Sequence, residues 1–97
     1  MAIAFEMEFA DGTIEQYDKV LQMMGFKPRG LGAKRAYFHW VSKTARGLRV
    51  VDVWESQADF DKFAAEQIGP YTAKVGLKPP KVTPYEIYNY LSGGMLK

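Results

Sequence analysis

The stretch Ala36–Phe60, AYFHWVSKTARGLRVVDVWESQADF, constrains this chain more than any other. Two strand-like runs flank a tight turn at Thr44–Gly47. The second run leads directly into Ser56, a helix N-cap, with Asp59 placed in the first turn where the helix dipole favours an acid. The same stretch holds the only histidine, His39, both tryptophans, Trp40 and Trp54, and an aspartate, Asp52, inside a strand. A chemical site is therefore expected here.

The flanking segments supply the rest of one unit spanning residues 1–97. Ala2–Ala10 alternates, with Ile3, Phe5, Met7 and Phe9 on one side and Ala4, Glu6 and Glu8 on the other, which predicts a strand. Thr13 with Gln16 forms a capping-box pattern before Ile14, Tyr17, Val20, Leu21 and Met24 at helical spacing, and Gly25 closes that helix. Residues 27–35, KPRGLGAKR, read as a loop, either solvated or a basic lid over an anionic ligand. Phe60, Phe63, Ala64, Gln67 and Ile68 carry a second helix. Gly69-Pro70 is expected to kink or break it, with Pro70 in the first turn of a new segment. A last strand is expected over Tyr85–Leu91, starting at a sheet edge because Pro84 cannot donate to a ladder, and the tail SGGMLK is expected to be loose or an arm.

The element order is therefore βαββαβ, an α+β, ferredoxin-like arrangement. It implies a four-stranded antiparallel sheet with two helices on one face, the first and third strands central and parallel. Sorting side chains by apolarity puts Ile3, Phe5, Met7, Phe9, Phe38, Trp40, Val51, Val53 and Tyr85 under the helices. Glu6, Glu8, Tyr37, His39, Val41, Val50, Asp52, Trp54, Glu86, Tyr88 and Tyr90 fall on the other face. That second face is too aromatic to stand in water, so a homodimer is expected in which two sheets enclose a small-molecule cavity. The acids argue for a ligand or water inside it, since an unpaired buried carboxylate is costly.

Composition narrows the function classes. The chain is 47% hydrophobic and 14% aromatic over 97 residues, rich for a body that buries only roughly 60–65% of its unfolded surface. A net charge of +2 is too mild to point to nucleic acid or an anionic membrane. No cysteine is present, which excludes thiolate chemistry and fits a reducing cytoplasm. Glu6 and Glu8 interrupt the apolar start, so no signal peptide is read there, and no run approaches a membrane span.

The junction Val53-Trp54-Glu55-Ser56-Gln57-Ala58-Asp59-Phe60, set within βαββαβ order, resembles the V-W-x-S-x-x-x-F strand-to-helix junction of the dimeric α/β-barrel superfamily. The likeness is to its antibiotic-biosynthesis-monooxygenase-like members. That resemblance implies a dimeric α/β barrel and a range of activities that includes cofactor-independent oxygenases acting on polyketide-like aromatics. The haem-degrading branch is disfavoured. Where it carries a tryptophan and a histidine on the second helix, this chain has Phe63 and no histidine around Ala73, and Glu6 replaces the asparagine of its first strand.

For chemistry, His39 comes first. A two- or four-residue connection at Thr44–Gly47 places residue 39 opposite residue 52, with Cβ atoms about 4.5–5.5 Å apart. Asp52 would then orient the imidazole and make His39 a candidate general base, with Glu6 on the adjacent strand able to join. A glycine bulge at Gly47 would instead set Trp40 opposite Asp52. The same pair read structurally is a satisfied polar contact that helps specify a dimer. Trp54, Tyr37 and Tyr88 are expected to line the cavity and stack on a flat ligand, or to pack a dimer core. No cofactor site is evident, and one histidine among scattered acids gives no metal motif. The fold also serves RNA-binding modules, but Leu48, Val50 and Asp52 stand where stacking aromatics belong. Two readings remain: a cofactor-free enzyme working on a small aromatic or enolisable substrate, and a non-catalytic ligand-binding or interaction dimer.

Overall fold

The computed structural model describes residues 2–96; Met1 and Lys97, the ends of the expected unit and of its tail, lie outside the described residues. The elements are β1 (Ile3–Ala10), α1 (Ile14–Met24), β2 (Ala36–Thr44), β3 (Gly47–Trp54), α2 (Gln57–Phe63), α3 (Gly69–Lys74) and β4 (Lys81–Glu86). The strands form one four-stranded antiparallel sheet in the order β2-β3-β1-β4, the ferredoxin-like α+β arrangement. β1 and β3 are central, but they run antiparallel, Ile3 opposite Trp54 and Ala10 opposite Gly47. The expected parallel pairing fails for a topological reason. Each helical crossover joins parallel strands that are next-but-one neighbours, so the strand between them must run the other way.

Local chemistry sets the helix ends. Thr13 accepts from the backbone N–H of Gln16 while the Gln16 side chain accepts from Thr13, so two orphan donors of α1 are satisfied. Gly25, at φ 84°, ends the helix in the left-handed conformation that glycine adopts without a Cβ penalty. At the other end of the chain, Pro70 lies in the first turn of a new segment, α3, as expected, although the backbone between α2 and α3 stays helical. The backbone widens into a π-turn over Ala64–Ile68, in which Gly69 N–H donates to Ala64 O, five residues back, and α3 continues from there. Pro70 offers no N–H and its ring would strike the carbonyl of an α-helical turn, so the wider turn absorbs the misfit.

Phe5, Met7, Phe9, Leu48, Val50, Trp54 and Phe60 form the buried core, with Ile14, Tyr17 and Phe63 packed against it. The Phe5 and Phe60 rings stack at 3.9 Å, which fixes α2 over the centre of the sheet. Gly47 pins the other end. At φ 150° it brings its backbone so close to Phe9 O that a Cβ there would lie 2.1 Å away.

This core corrects the face assignment. Phe5 is opposite Asp52, Met7 opposite Val50 and Phe9 opposite Leu48, and directly paired residues point to the same side. Leu48, Val50, Asp52 and Trp54 therefore lie under the helices with the alternating residues of β1. His39 and Val41, paired with Asp52 and Val50, follow them. Phe38, Trp40, Val51 and Val53 are on the open face instead. Both faces of β2 and β3 are apolar, so sorting by hydrophobicity cannot tell them apart, whereas a one-residue difference of register inverts every side chain.

The last strand is also displaced from its expected span. It runs Lys81–Glu86 with Pro84 inside it, opposite Phe5, which an edge strand tolerates because the outward side of its ladder is unpaired. Tyr88, Tyr90 and Leu91 lie beyond it and belong to neither sheet face. Gly94–Leu96 makes a 3-10 turn. No helix among the described residues is long and apolar enough to cross a membrane.

Candidate functional site

Asp52 is the unusual member of the core. It is 4% exposed, placed mid-strand between Val51 and Val53, and such a carboxyl needs hydrogen-bond partners. The hairpin provides one. Thr44 pairs with Gly47 across the two-residue connection Ala45-Arg46, and from that register His39 falls opposite Asp52. Asp11 N–H donates to Arg46 O at 2.7 Å and docks the turn on the end of β1. His39 Nδ1 meets Asp52 Oδ1 at 2.6 Å. The other carboxylate oxygen accepts from Trp54 Nε1 at 3.2 Å. An indole N–H can only donate, so Trp54, 2% exposed, is itself satisfied by this contact.

The second ring nitrogen of His39 is engaged by a residue that the sequence reading left in the apolar stripe of α1. The Tyr17 hydroxyl lies 2.5 Å from Nε2, and the two rings are nearly parallel with centroids 5.8 Å apart. In the neutral imidazole, Asp52 holds the hydrogen on Nδ1, leaving Nε2 to accept from Tyr17. Burial, then the nearby carboxylates Asp52 and Asp18, pushes the Tyr17 phenol up from 10.0 to about 12. Tyr17 thus remains a donor at neutral pH. The signal that could have found it is its position: a tyrosine on the inward stripe of a helix brings a polar tip that must find a partner.

The arrangement Tyr17–His39–Asp52–Trp54 runs from the half-exposed imidazole into the core. Chemically it is a base with an oriented tautomer, a carboxylate to stabilise its protonated form, and a phenol beside it. His39 lines neither the cleft formed by Tyr37, Glu55 and Tyr90 nor the one formed by Ile3, Ser56 and Glu86. The basic loop 27–35 lines neither of them.

The other residues singled out in the sequence do not converge on this point. Glu6 is on the open face, 2.8 Å from Arg49 Nε in a contact too bent to be a hydrogen bond, and it accepts from the Tyr85 hydroxyl at 3.0 Å. Tyr37 lies at a β-bulge between Ala36 and Phe38, and its hydroxyl donates to Glu55. That hydrogen bond, more than burial, pushes the Tyr37 phenol up to about 12. Tyr88 is 102% exposed. Trp54 is wedged between Phe60 and Phe63 with ring centroids 6.3 Å and 5.0 Å away, so it is core and cannot wall a cavity between sheets. Among the described residues no three His, Cys, Asp or Glu side chains group as a metal ion would require.

No protein-family model matches the sequence, and no curated protein matches it. Solved structures do. SnoaB, a cofactor-independent oxygenase from Streptomyces nogalater, superposes with a TM-score of 0.63 at 11% identity, over 95% of this chain and 98% of its own. A candidate antibiotic biosynthesis monooxygenase from Deinococcus radiodurans gives 0.60 at 14% identity, over 95% and 97% of the two chains. A hypothetical protein from Pyrococcus horikoshii gives 0.54 at 13%, over 90% and 92%. At these identities the likeness is one of architecture: the chain has the fold of the antibiotic-biosynthesis-monooxygenase-like proteins.

Proposed function

We propose that this protein is a homodimeric, cofactor-independent enzyme that removes a proton from a small aromatic or enolisable substrate, with His39 as the base. The observation that carries the reading is the imidazole held between Asp52 at 2.6 Å and the Tyr17 hydroxyl at 2.5 Å. A substrate entering over the edge of the sheet displaces the phenol from Nε2. The substrate C–H proton passes to Nε2, and Asp52 stabilises the imidazolium. Tyr17, still protonated, donates to the enolate oxygen as charge develops there. The carbanion forms a C–O bond with dioxygen, and the proton held on His39 goes to the distal oxygen. Loss of water from the resulting hydroperoxide leaves the carbonyl product. The oxygenases among the structural neighbours support this direction but share only the fold.

The dimer would form through the open sheet face. Phe38, Trp40 and Tyr85 lie half-exposed there beside Val51 and Val53, an apolar patch of the kind that marks an interface. The reading without catalysis has one observation in its favour: His39 Nδ1 and Trp54 Nε1 between them engage both oxygens of the buried Asp52, as expected if the relay only satisfies that carboxylate.

Anaerobic deuterium exchange into an anthrone or a cyclic 1,3-diketone, followed by NMR, isolates the first step from oxygen chemistry. Exchange catalysed by the wild type and lost in His39→Ala supports the enzyme. Equal rates for both proteins refute it. Trp40→Ser should convert the dimer to monomer in sedimentation velocity.

A further inference from the structure

A cleft at the end of β3, which His39 does not line, has a composition of its own. It has a volume of about 340 Å³, and Tyr37, Glu55, Tyr88, Asn89 and Tyr90 line it beside Ala2. That volume lies near the lower end of small-molecule sites, which span roughly 300–1,000 Å³. The wall is built by two devices. The bulge between Ala36 and Phe38 makes Tyr37 the unpaired extra residue of β2 and re-aims its side chain toward the end of β3. The chain leaving β4 then folds back so that the Tyr90 ring lies 5.6 Å from the Tyr37 ring, tilted by 38°. Two aromatic rings set at an angle, with the fully exposed Tyr88 beside them, line one space.

The charge that the described residues bring to that space is negative. One oxygen of Glu55 accepts from the Tyr37 hydroxyl, which fixes the carboxylate at the rim and leaves its other oxygen available. Arg35, whose carbonyl accepts from Glu55 N–H, sends its guanidinium to Asp59 at 3.2 Å instead. Among the described residues no basic side chain pairs with Glu55.

We infer that this cleft is a binding site for a small organic ammonium ion, held by cation–π contact with Tyr37 and Tyr90 and by the Glu55 carboxylate. Ring faces attract a cation, a carboxylate adds a compact opposite charge, and neither attracts a neutral molecule of the same shape. The site is independent of the relay and of the enzyme reading built on it.

Choline and its uncharged isostere, 3,3-dimethylbutan-1-ol, separate the alternatives when titrated into the isotope-labelled full chain and followed by NMR. Saturable shifts confined to Tyr37, Glu55 and Tyr90 are expected with choline, with the isostere about tenfold weaker or more. Glu55→Gln should weaken choline roughly three- to tenfold and leave the isostere unchanged. Tyr90→Leu, outside every strand and helix and so harmless to the fold, should do the same. Equal affinity for the two probes, choline shifts that do not saturate, or an unaltered response in Glu55→Gln would each overturn the assignment.

Discussion

Replacing Asp52 by asparagine should reverse the direction of both hydrogen bonds made by His39 while leaving the fold in place. Asp52 accepts twice, from His39 Nδ1 at 2.6 Å and from Trp54 Nε1 at 3.2 Å. Asparagine offers one acceptor and one donor in the same volume. Trp54 is buried and can only donate, so the amide oxygen must turn to it. The amide NH₂ then faces Nδ1, which has to become the acceptor. The imidazole hydrogen moves to Nε2, and Tyr17 is left to accept where it had donated. Charge-assisted hydrogen bonds are roughly twice as strong as neutral ones, so the exchange should cost about 1–2 kcal/mol. For a domain of this size that is a fall in Tm of about 5–15 °C. Nitrogen-15 spectra of the imidazole read the tautomer directly, with the hydrogen on Nδ1 in the wild type and on Nε2 in the variant. If Nδ1 keeps its hydrogen in Asp52→Asn, Asp52 does not set the tautomer and the argument for His39 as an oriented base collapses. Asp52→Ala should be worse, on the order of 3–5 kcal/mol, because it strands a buried indole N–H and empties the site.

Gly47→Ala should destabilise by roughly 3 kcal/mol or more in denaturant titration, since its Cβ would meet Phe9 O at 2.1 Å and Asp11 N at 2.8 Å at φ 150°. A loss under about 1 kcal/mol would mean the β1–β3 approach is slack. Phe5→Ala removes a fully buried ring stacked on Phe60 and should cost about 3–5 kcal/mol in the same assay. Tyr17→Phe should delete one phenol from the alkaline end of the absorbance titration, near 12 and not near 10.0. Because the folded pKa lies above the unfolded one, the contribution of Tyr17 to stability is complete below about pH 10 and lost toward about pH 12. Wild type should therefore lose stability faster than Tyr17→Phe across that window, and parallel curves would refute the assignment.

Much of the architecture was legible because short-range rules decide it. The alternation of Ile3–Ala10, the Thr13–Gln16 capping box, the glycine at Gly25 and the N-cap at Ser56 each dictate one local element and are met in the structure. The hairpin register follows from a two-residue connection, which brings His39 to Asp52. Faces are a different matter. Whether Asp52 lies inside or outside depends on the pairing of β3 with β1, a contact between chain segments some forty positions apart that no local rule fixes. Hydrophobicity misleads there because Val51 and Val53 are as apolar as Val50. The role of Tyr17 is not legible for a related reason: its partner is set by where α1 crosses the sheet. Tyr88 and Tyr90 read as strand residues although β4 ends at Glu86, since Pro84 suggests a boundary where it is in fact tolerated within an edge strand.

The two tryptophans lie on opposite sides of one sheet, and that gives the molecule a pair of intrinsic optical reporters. Trp54, sealed in the core with its N–H on Asp52, should emit from apolar surroundings beyond the reach of iodide. Trp40, 43% exposed on the open face of the single chain, should emit from water and be quenched wherever that face is uncovered. Anything that covers the open face changes the second signal alone, and anything that alters the hydrogen bonding of Asp52 changes the first. Of the single-tryptophan forms, Trp54→Phe, which keeps Trp40, would therefore follow association, and Trp40→Phe, which keeps Trp54, would follow the relay.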